Sequence, residues 1–343
     1  MRKFVPDAIY YEEKAKEYEL GKELLEKYKD VPQIIIENHN NIEEMRKKEN
    51  KEFPRLKRNL IIGIRKTHKF VPNNKISNYL VPYTSSGCTA MCLYCYLVCN
   101  YNKCAYLRLF VNREEMLDKI IKTANESEKE LVFEIGSNSD LVLENTITGN
   151  LKWTIENFKK AEKGYITFPT KFDMVDDLLD IEGKERVIFR MSVNPKEVIQ
   201  KVEIGTSRLE QRVEAINKLK EAGYNVGILI APVIFVDNWE KLYEELVIYL
   251  KENLTEKAKQ DVFFEVIFMT YSFIHRKINE EAFPSAINLY NQDLMTGRGK
   301  GKYTYKQELR KKGEEHIGKL LEKYFPNNRI VYFSWNSSLV KYE

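Results

Sequence analysis

Short apolar runs alternate with longer amphipathic stretches between about residues 77 and 268 of the chain. The apolar runs are rich in β-branched and aromatic residues, which favours strands, and the stretches between them repeat apolar residues at helical spacing. Six strands with five helices between them are predicted, the strands being NYLVPYTSS, ELVFEIGS, YITFPTK, VIFRMSVN, NVGILIAPVI and DVFFEVIF. Such a succession predicts an α/β fold with a parallel sheet, either open and doubly wound or a partial (β/α)6 barrel.

Helix ends in this segment carry start and stop signals. Asn112 with Glu115, and Ser207 with Glu210, each place a candidate N-cap three residues before an acid. Gly223 follows the helix LEQRVEAINKLKEA, where a glycine ends helices.

The flanking regions have less regular patterns. Residues 1–76 form a predicted accessory region, in which YYEEKAKEYELGKELLEKYK is an amphipathic helix and PQIIIE and NLIIGIRK are strands. Residues 276–343 form a predicted extension with a basic hairpin or loop, GRGKGKYTY, a basic helix and a last strand, RIVYFSW. Residues 77–275 are then expected to carry the chemistry, at the carboxyl ends of their strands.

Composition describes a chain with a substantial core and a weak overall field. It has 343 residues, of which 43% are hydrophobic, and its 55 basic and 51 acidic residues give a net charge of +4. This balance does not by itself indicate a nucleic-acid partner. The sequence has no long uncharged apolar run, and the first residues turn acidic where a signal peptide is apolar, so a cytoplasmic protein without a membrane association is expected.

All five cysteines lie in one segment, SGCTAMCLYCYLVCNYNKCAY, just past the first predicted strand. In a reducing compartment this clustering favours metal ligands or reactive thiols over disulfides. Cys88, Cys92 and Cys95 form CxxxCxxC, which supplies three thiolates to a [4Fe–4S] cluster and leaves one iron for a non-protein ligand. Structural zinc, the alternative, needs four closed ligands, and the four histidines are too scattered to complete such a set.

This cysteine pattern, with Tyr94 before its third cysteine, resembles the radical S-adenosylmethionine (AdoMet) superfamily. The wider sequence resembles the spore photoproduct lyase family within it, through FVPDAIYYEEKAKEYELGKEL, LIIGIRKTHKF, YLRLFVN, FEIGSNSD, TKFDMVDDLLD, FRMSVN, EIGTSRLEQRVEA, AGYNVGILIAPV and GKYTYKQE. The resemblance implies a partial (β/α)6 barrel of the radical-SAM type. It also implies a lyase that uses a 5′-deoxyadenosyl radical to reverse spore photoproduct, 5-thyminyl-5,6-dihydrothymine, to two thymines.

The same resemblance assigns roles to individual residues. Cys88, Cys92 and Cys95 would bind the cluster, Tyr94, Ser139, Lys171, Ser192 and Ala231 would line the AdoMet pocket, and Tyr96 would belong to a hydrogen-transfer relay. These roles suit the residue types, because Lys171 can pair with the cofactor carboxylate and a serine hydroxyl or a backbone carbonyl can bond its amine or ribose. Without the resemblance, Lys171, Ser139 and Ser192 are ordinary loop residues at strand ends.

The chain departs from the family at Ser137, where the usual members have a cysteine that donates hydrogen to the thymine product radical. A serine O–H bond is too strong to replace that thiol. Cys104 and Cys99 are the alternative donors, with Cys104 preferred because it leads into AYLRLFVN. If neither thiol is the donor, the alternative for each cysteine is the role of a small buried hydrophobe. Cys99 has one further alternative, which is that of a spare cluster ligand.

A second departure concerns contacts with DNA. The family's hairpin carries an Arg-Tyr pair that wedges the helix open, whereas GRGKGKY has Arg298 without an adjacent tyrosine. Arg298, Lys300 and Lys302 are still expected to contact phosphates, with Tyr303 as the candidate wedge. A second basic strip lines the DNA groove or is a solvated face, and it comprises Arg55, Lys57, Arg58, Arg65, Lys66 and Lys69.

The implied partners are DNA that contains the thymine-dimer lesion and an electron donor such as flavodoxin or ferredoxin, in the cytoplasm or, in a spore former, the spore core. Two alternatives stay open. One is a radical enzyme of the same family acting on another nucleic acid or a small molecule, and the other is a non-catalytic iron–sulfur or zinc module that binds DNA.

Overall fold

The computed structural model describes residues 4–73, 75–95, 97 and 106–334. The chain divides into two compact units. The first unit comprises residues 1–90, 97–168 and 176–187, and the second comprises 91–96, 169–175 and 188–343. In the described part of the chain, no helix has both the length and the apolar character needed to cross a membrane.

The described strands are β1 (Ile9–Glu12), β2 (Gln33–Ile36), β3 (Leu60–Gly63), β4 (Val71–Pro72), β5 (Tyr79–Leu80), β6 (Ser85–Ser86), β7 (Leu107–Phe110), β8 (Val132–Glu134), β9 (Tyr165–Thr170), β10 (Val187–Val193), β11 (Asn225–Val233), β12 (Phe263–Phe268), β13 (Thr270–Ser272), β14 (Met295–Gly297), β15 (Lys302–Tyr305) and β16 (Ile330–Phe333).

The described α-helices are α1 (Glu19–Lys27), α2 (Glu43–Arg46), α3 (Phe53–Leu56), α4 (Arg113–Glu126), α5 (Leu141–Thr148), α6 (Asn150–Phe158), α7 (Lys196–Val202), α8 (Leu209–Glu221), α9 (Trp239–Asn253), α10 (Glu256–Asp261), α11 (Phe273–Ala282) and α12 (Gln307–Tyr324).

A five-stranded sheet in the order β2-β1-β3-β7-β6 forms the centre of the first unit. Strands β2, β1, β3 and β7 are parallel, and the short β6 runs antiparallel to β7. Every residue of β1, β3 and β7 is buried, as expected for parallel strands covered on both faces. The same unit holds the strands β4-β5-β8-β9, in that order, with β5, β8 and β9 parallel.

The second unit carries the parallel strands β10, β11, β12 and β16. Strand β9 leads the chain into it, since residues 169 and 170 already belong to this unit. Strand β11 is buried at seven of nine positions, and helices α8 and α9 follow β10 and β11 along the chain. A separate antiparallel sheet, in the order β13-β15-β14, contains the basic hairpin.

The predicted alternation of strands and helices is confirmed from β8 to β9 and from β10 to β12. The helix predicted between β9 and β10 is wrong, because the chain there forms only two short 3-10 turns, Asp176–Leu178 and Lys184–Arg186. The predicted hairpin and last strand are present. The helix predicted from Tyr10 is wrong at its start, because Ile9–Glu12 pair with both β2 and β3 and are completely buried. NYLVPYTSS is not one strand but contains β5 and β6, which join different sheets.

The predicted helix caps fare differently. Asn112 does not cap α4 with its side chain, since its amide oxygen accepts from the Arg65 backbone N–H at 2.9 Å. Arg208, not Ser207, is the N-cap of α8. Gly223 ends that helix as predicted, with φ of +94°, a value that glycine adopts without strain.

Candidate active site

The first half of the cysteine segment is anchored within the first unit. Gly87, with φ of +75°, forms a parallel bridge to Ser139, and its N–H donates to the Asn138 carbonyl at 2.7 Å. The Lys57 ammonium donates to the Cys88 carbonyl at 2.7 Å. Lys57 is only 3% exposed, so it supports the cysteine segment and does not belong to a solvated basic strip.

The second half of the segment is anchored within the second unit. The N–H groups of Met91 and Leu93 donate to the carbonyls of residues 204 and 202 at 2.8 and 3.0 Å. Two side chains of α11 also bind the backbone of this half of the segment. His275 Nε2 donates to the Cys95 carbonyl at 2.5 Å, and the Asn279 amide donates to the Leu93 carbonyl at 2.7 Å. Burial lowers the pKa of His275, so its ring binds the carbonyl as a neutral donor.

In the described part of the chain, Cys88, Cys92 and Cys95 form no disulfide, and all three are partly exposed. As a donor set, three thiols within eight residues suit an iron–sulfur cluster better than zinc. Within the described ranges, no group of three or more His, Cys, Asp or Glu side chains is arranged to hold a metal ion, so the cluster ligands stay a prediction. Cys99, Cys104 and Tyr96 lie outside the described residues.

Ser139 belongs to a buried chain of hydrogen bonds in the first unit. Its hydroxyl lies 2.7 Å from the Ser85 hydroxyl, which donates to Glu144 Oε2 at 2.5 Å. Thr84 and Asn150 also donate to this carboxylate, which is 1% exposed. A hydroxyl has one proton and two lone pairs, so Ser139 can bond Ser85 and still accept from an incoming donor such as an amine.

A second buried network is centred on Glu203 in the second unit. Glu203 Oε2 lies 2.6 Å from Arg212 Nη2, and Glu203 Oε1 accepts from the Tyr94 hydroxyl at 2.5 Å and from the Asn194 amide at 2.9 Å. Burial alone would raise the pKa of Glu203, but Arg212 and these donors outweigh it and hold the pKa below its usual value. Burial and the Glu203 charge raise the pKa of Tyr94 well above its usual value, so its hydroxyl stays protonated as a donor.

The Glu203 network reaches the other predicted pocket residues of this unit. Arg212 donates to the Ser192 carbonyl at 2.9 Å, and the Ser192 hydroxyl donates to the Ala231 carbonyl at 2.7 Å. The Lys171 ammonium lies 5.7 Å from the centre of the Tyr94 ring. Tyr94, Lys171, Ser192 and Ala231 are therefore brought together, as their assignment to one pocket requires.

Sequence reasoning missed Glu203 and Arg212. The available signal was the position of Arg212, which takes a place in the apolar stripe of α8 between Leu209 and Val213. A charge in such a stripe is buried only when a partner compensates it. The sequence gives no direct sign that the partner is nine residues earlier in the chain.

The basic hairpin is tightly turned. The Arg298 N–H donates to the Lys302 carbonyl at 2.8 Å, and Lys300 has φ of +52° between two glycines. The side chains of Arg298, Lys300 and Lys302 are exposed. Tyr303 is half-buried, and its ring packs edge-on against the ring of Tyr290, with 4.7 Å between the two ring centres.

An exposed apolar pair lies beside this turn. Phe273 and Ile274, at the start of α11, are 56% and 47% exposed. The Phe273 N–H donates to the Gly301 carbonyl at 2.9 Å, so the pair adjoins the turn that carries the cations. The same helix therefore presents Phe273 to solvent and His275 and Asn279 to the cysteine segment.

Comparison with known proteins identifies the family. A family model described as "Spore photoproduct lyase" matches residues 4–334. The chain belongs to the spore photoproduct lyase family. A spore photoproduct lyase of Bacillus subtilis (strain 168) is 34% identical over 339 residues, which cover 96% of this chain and 99% of that protein. One of Geobacillus sp. (strain Y412MC61) is 32% identical over 342 residues, which cover 97% and 100%.

Solved structures of family members agree with the fold. A spore photoproduct lyase mutant with bound AdoMet and dinucleoside spore photoproduct matches with a TM-score of 0.90 and 31% identity, covering 97% of this chain and 100% of that chain. A spore photoproduct lyase complexed with dinucleoside spore photoproduct matches equally well, with a TM-score of 0.90. The predicted α/β fold with a curled half-barrel sheet of the radical-SAM type is confirmed.

Proposed function

We propose that this chain reverses spore photoproduct in DNA to two thymines, with AdoMet and a [4Fe–4S] cluster as cofactors. The observation that carries the proposal is the match over nearly the full length to a family member solved with both AdoMet and the dinucleoside lesion. When bound, the reduced cluster supplies the electron that cleaves AdoMet and so generates the radical that takes hydrogen from the sixth ring carbon of the lesion.

The protein's contribution is to bind and orient the reactants. Cys88, Cys92 and Cys95 would hold the cluster, and Tyr94, fixed by Glu203, would line the AdoMet pocket. Lys171 pairs with the AdoMet carboxylate, while Ser139, which is held by Ser85, accepts from its amine. The Ser192 and Ala231 backbone at the ends of β10 and β11 completes the pocket.

A thiol outside the described residues ends the reaction by giving hydrogen to the thymine-side radical. Ser137 is half-buried in the turn after β8, at the position where the family's usual donor is a cysteine. Cys104 is the first candidate and Cys99 the second, with Tyr96 in the hydrogen-transfer relay. Ser137 also favours a second candidate function, in which a radical enzyme of this family acts on another nucleic acid or a small molecule.

The basic hairpin contacts the DNA that carries the lesion. Arg298, Lys300 and Lys302 neutralise phosphates, and no acid lies between residues 294 and 306 to offset them. The exposed Phe273 is better placed than the packed Tyr303 to stack on a base. Reduction of the cluster draws on a flavodoxin or ferredoxin, and the reaction takes place in the cytoplasm or spore core.

The decisive experiment is an anaerobic assay of the reconstituted, reduced protein with AdoMet and a synthetic spore-photoproduct dinucleotide. Chromatography follows 5′-deoxyadenosine and restored thymidylyl-thymidine. Restored thymines support the repair function, whereas deoxyadenosine without them would exclude this lesion as the substrate and favour the second candidate.

Variants then test the assigned thiols. Cys88→Ala should abolish the visible absorption of the cluster. Cys104→Ala should keep the cluster and AdoMet cleavage but release aberrant thymine products. Normal repair by Cys104→Ala would exclude Cys104 as the donor and leave Cys99.

A further inference from the structure

A cavity of about 260 Å³ opens at the carboxyl edge of the five-stranded sheet in the first unit. Its lining includes Glu12 and Phe110, the last residues of β1 and β7, and Arg65, which lies two residues after β3. The chain passes from β1 to β2 on one side and then to β3 on the other, so the cavity lies where the strand order reverses. Open parallel sheets bind their ligands at such points.

The lining of this cavity is positively charged. It carries three cationic side chains, Arg65, Lys66 and Arg108. Its one carboxylate, Glu12, is already engaged, because it accepts from the His39 backbone N–H at 3.1 Å and from the Ile64 N–H at 3.0 Å, with His39 Nδ1 at 2.9 Å. The cavity therefore favours an anion over a cation.

The two guanidinium groups are oriented in advance. Arg108 is 3% exposed and donates through Nη1 to the Asn40 side chain at 3.0 Å. Arg65 donates through Nε to the Tyr83 carbonyl at 2.9 Å and lies 3.8 Å from the centre of the Phe110 ring. These hydrogen-bond partners are neutral, and they fix the orientation of the guanidinium groups.

The hydroxyl of Ser86 is the second observation that indicates a ligand. Ser86 lines the cavity and is 1% exposed, and in the described part of the chain its hydroxyl has no hydrogen-bond partner. A buried hydroxyl without a partner has given up its hydrogen bonds to water and gained none in return. Ser86 also lies directly opposite Arg108 in the β6–β7 pair, so both side chains point to the same face of the sheet.

We propose that this cavity binds a phosphate group or a comparable small dianion. Its oxygens accept from the cationic side chains and from Ser86, which supplies the partner that the hydroxyl lacks. The site is separate from the repair function and does not depend on it. Since Ser85, the neighbour of Ser86 in β6, bonds Ser139 and Glu144, one two-residue strand contacts both this anion site and the proposed AdoMet pocket.

The test is calorimetric titration of the full chain with inorganic phosphate, without AdoMet or lesion. The wild type should show saturable binding. Ser86→Ala should weaken it at least about fivefold, the equivalent of one lost hydrogen bond. The same variant should unfold at an unchanged or higher temperature without ligand, because it removes an unpaired hydroxyl. A merely structural serine would not give these two opposite effects.

Two lysines of one exposed loop provide a charge control. Lys66→Ala should weaken phosphate binding, whereas Lys69→Ala, which removes an exposed charge outside the lining, should not. Competition identifies the source of the phosphate, since a mononucleotide displaces it from a small-molecule site and a short oligonucleotide displaces it from a site for the DNA backbone. No saturable binding by any of the three ligands, or equal affinity in wild type and Ser86→Ala, would overturn the proposal whatever the repair assay shows.

Discussion

Glu203 and Glu197 offer a comparison of the same substitution in two environments. Glu203 and Arg212 form a pair whose side chains are both 0% exposed. Glu203→Gln removes the charge that compensates Arg212 and turns an amide N–H group toward the guanidinium. Removing one partner of a buried pair costs about 3–5 kcal/mol. The amide oxygen can still accept from Tyr94 and Asn194, so we expect the lower end of this range.

The control lies six residues earlier. Glu197 pairs with Lys201 at 2.6 Å on the surface of α7, where the two side chains are 44% and 54% exposed. Such a pair contributes about 0.5 kcal/mol or less, so Glu197→Gln should change stability little. Anaerobic urea unfolding of both variants at pH 7 gives the two changes in the free energy of unfolding.

Tyr94→Phe extends the comparison to the cysteine segment. Its hydroxyl bonds an ionised carboxylate in the wild type, a contact of about 1.5–3 kcal/mol, but a neutral amide in Glu203→Gln, where it contributes about 0.5–1.5 kcal/mol. The double variant should therefore be more stable than the sum of the single changes predicts by about 1 kcal/mol. Equal destabilisation by Glu203→Gln and Glu197→Gln, or strict additivity with Tyr94→Phe, would refute the role of Glu203 as the centre of the network.

Three further outcomes are expected. Burial alone would raise the pKa of Glu12, but hydrogen bonds from His39 and a backbone N–H lower it from 4.5 to about 2. Stability from Glu12 is thus present above about pH 4.5 and lost toward pH 2, so Glu12→Gln should remove about 3 kcal/mol of the pH dependence measured by urea unfolding. Phe273→Ala should lower repair of the lesion in duplex DNA at least about fivefold but leave repair of the dinucleotide unchanged, and Ile35→Ala, which removes another exposed apolar side chain, should change neither. Lys171→Met should weaken AdoMet binding about 10-fold or more in equilibrium dialysis, because it removes the cation proposed to pair with the AdoMet carboxylate.

The spacing of apolar residues along the sequence predicted those helices and strands whose burial pattern is regular. β10 and β11 are apolar runs bounded by turn residues, and they are predicted nearly to their ends. At β1 local pattern fails, because IYYE is compatible with the start of the amphipathic helix that follows. Its pairing with β2 and β3, more than 20 and 45 residues away, decides the strand.

In the candidate site too, some residues could be assigned from the sequence and others could not. Lys171 and Ser192 were assigned by resemblance and lie in one network, whereas Glu203 looks like one of many exposed acids until the fold buries it against Arg212. The opposite directions of Ser85 and Ser86 follow from strand alternation, but β6 has only two residues, too few for a periodic pattern to show it. What sequence reasoning lacked in each case was a partner brought by tertiary packing.

Helix α11 fixes the distance between the basic turn and the cysteine segment. Its six-residue step from Phe273 to Asn279 spans about 9 Å along the axis, at 1.5 Å per residue. Phe273 adjoins the basic turn and Asn279 binds the cysteine segment, so a stretch of rigid backbone sets this spacing. One residue inserted within α11 would rotate one contact by about 100° relative to the other, whereas an insertion in the loop between α11 and β14 leaves both in place.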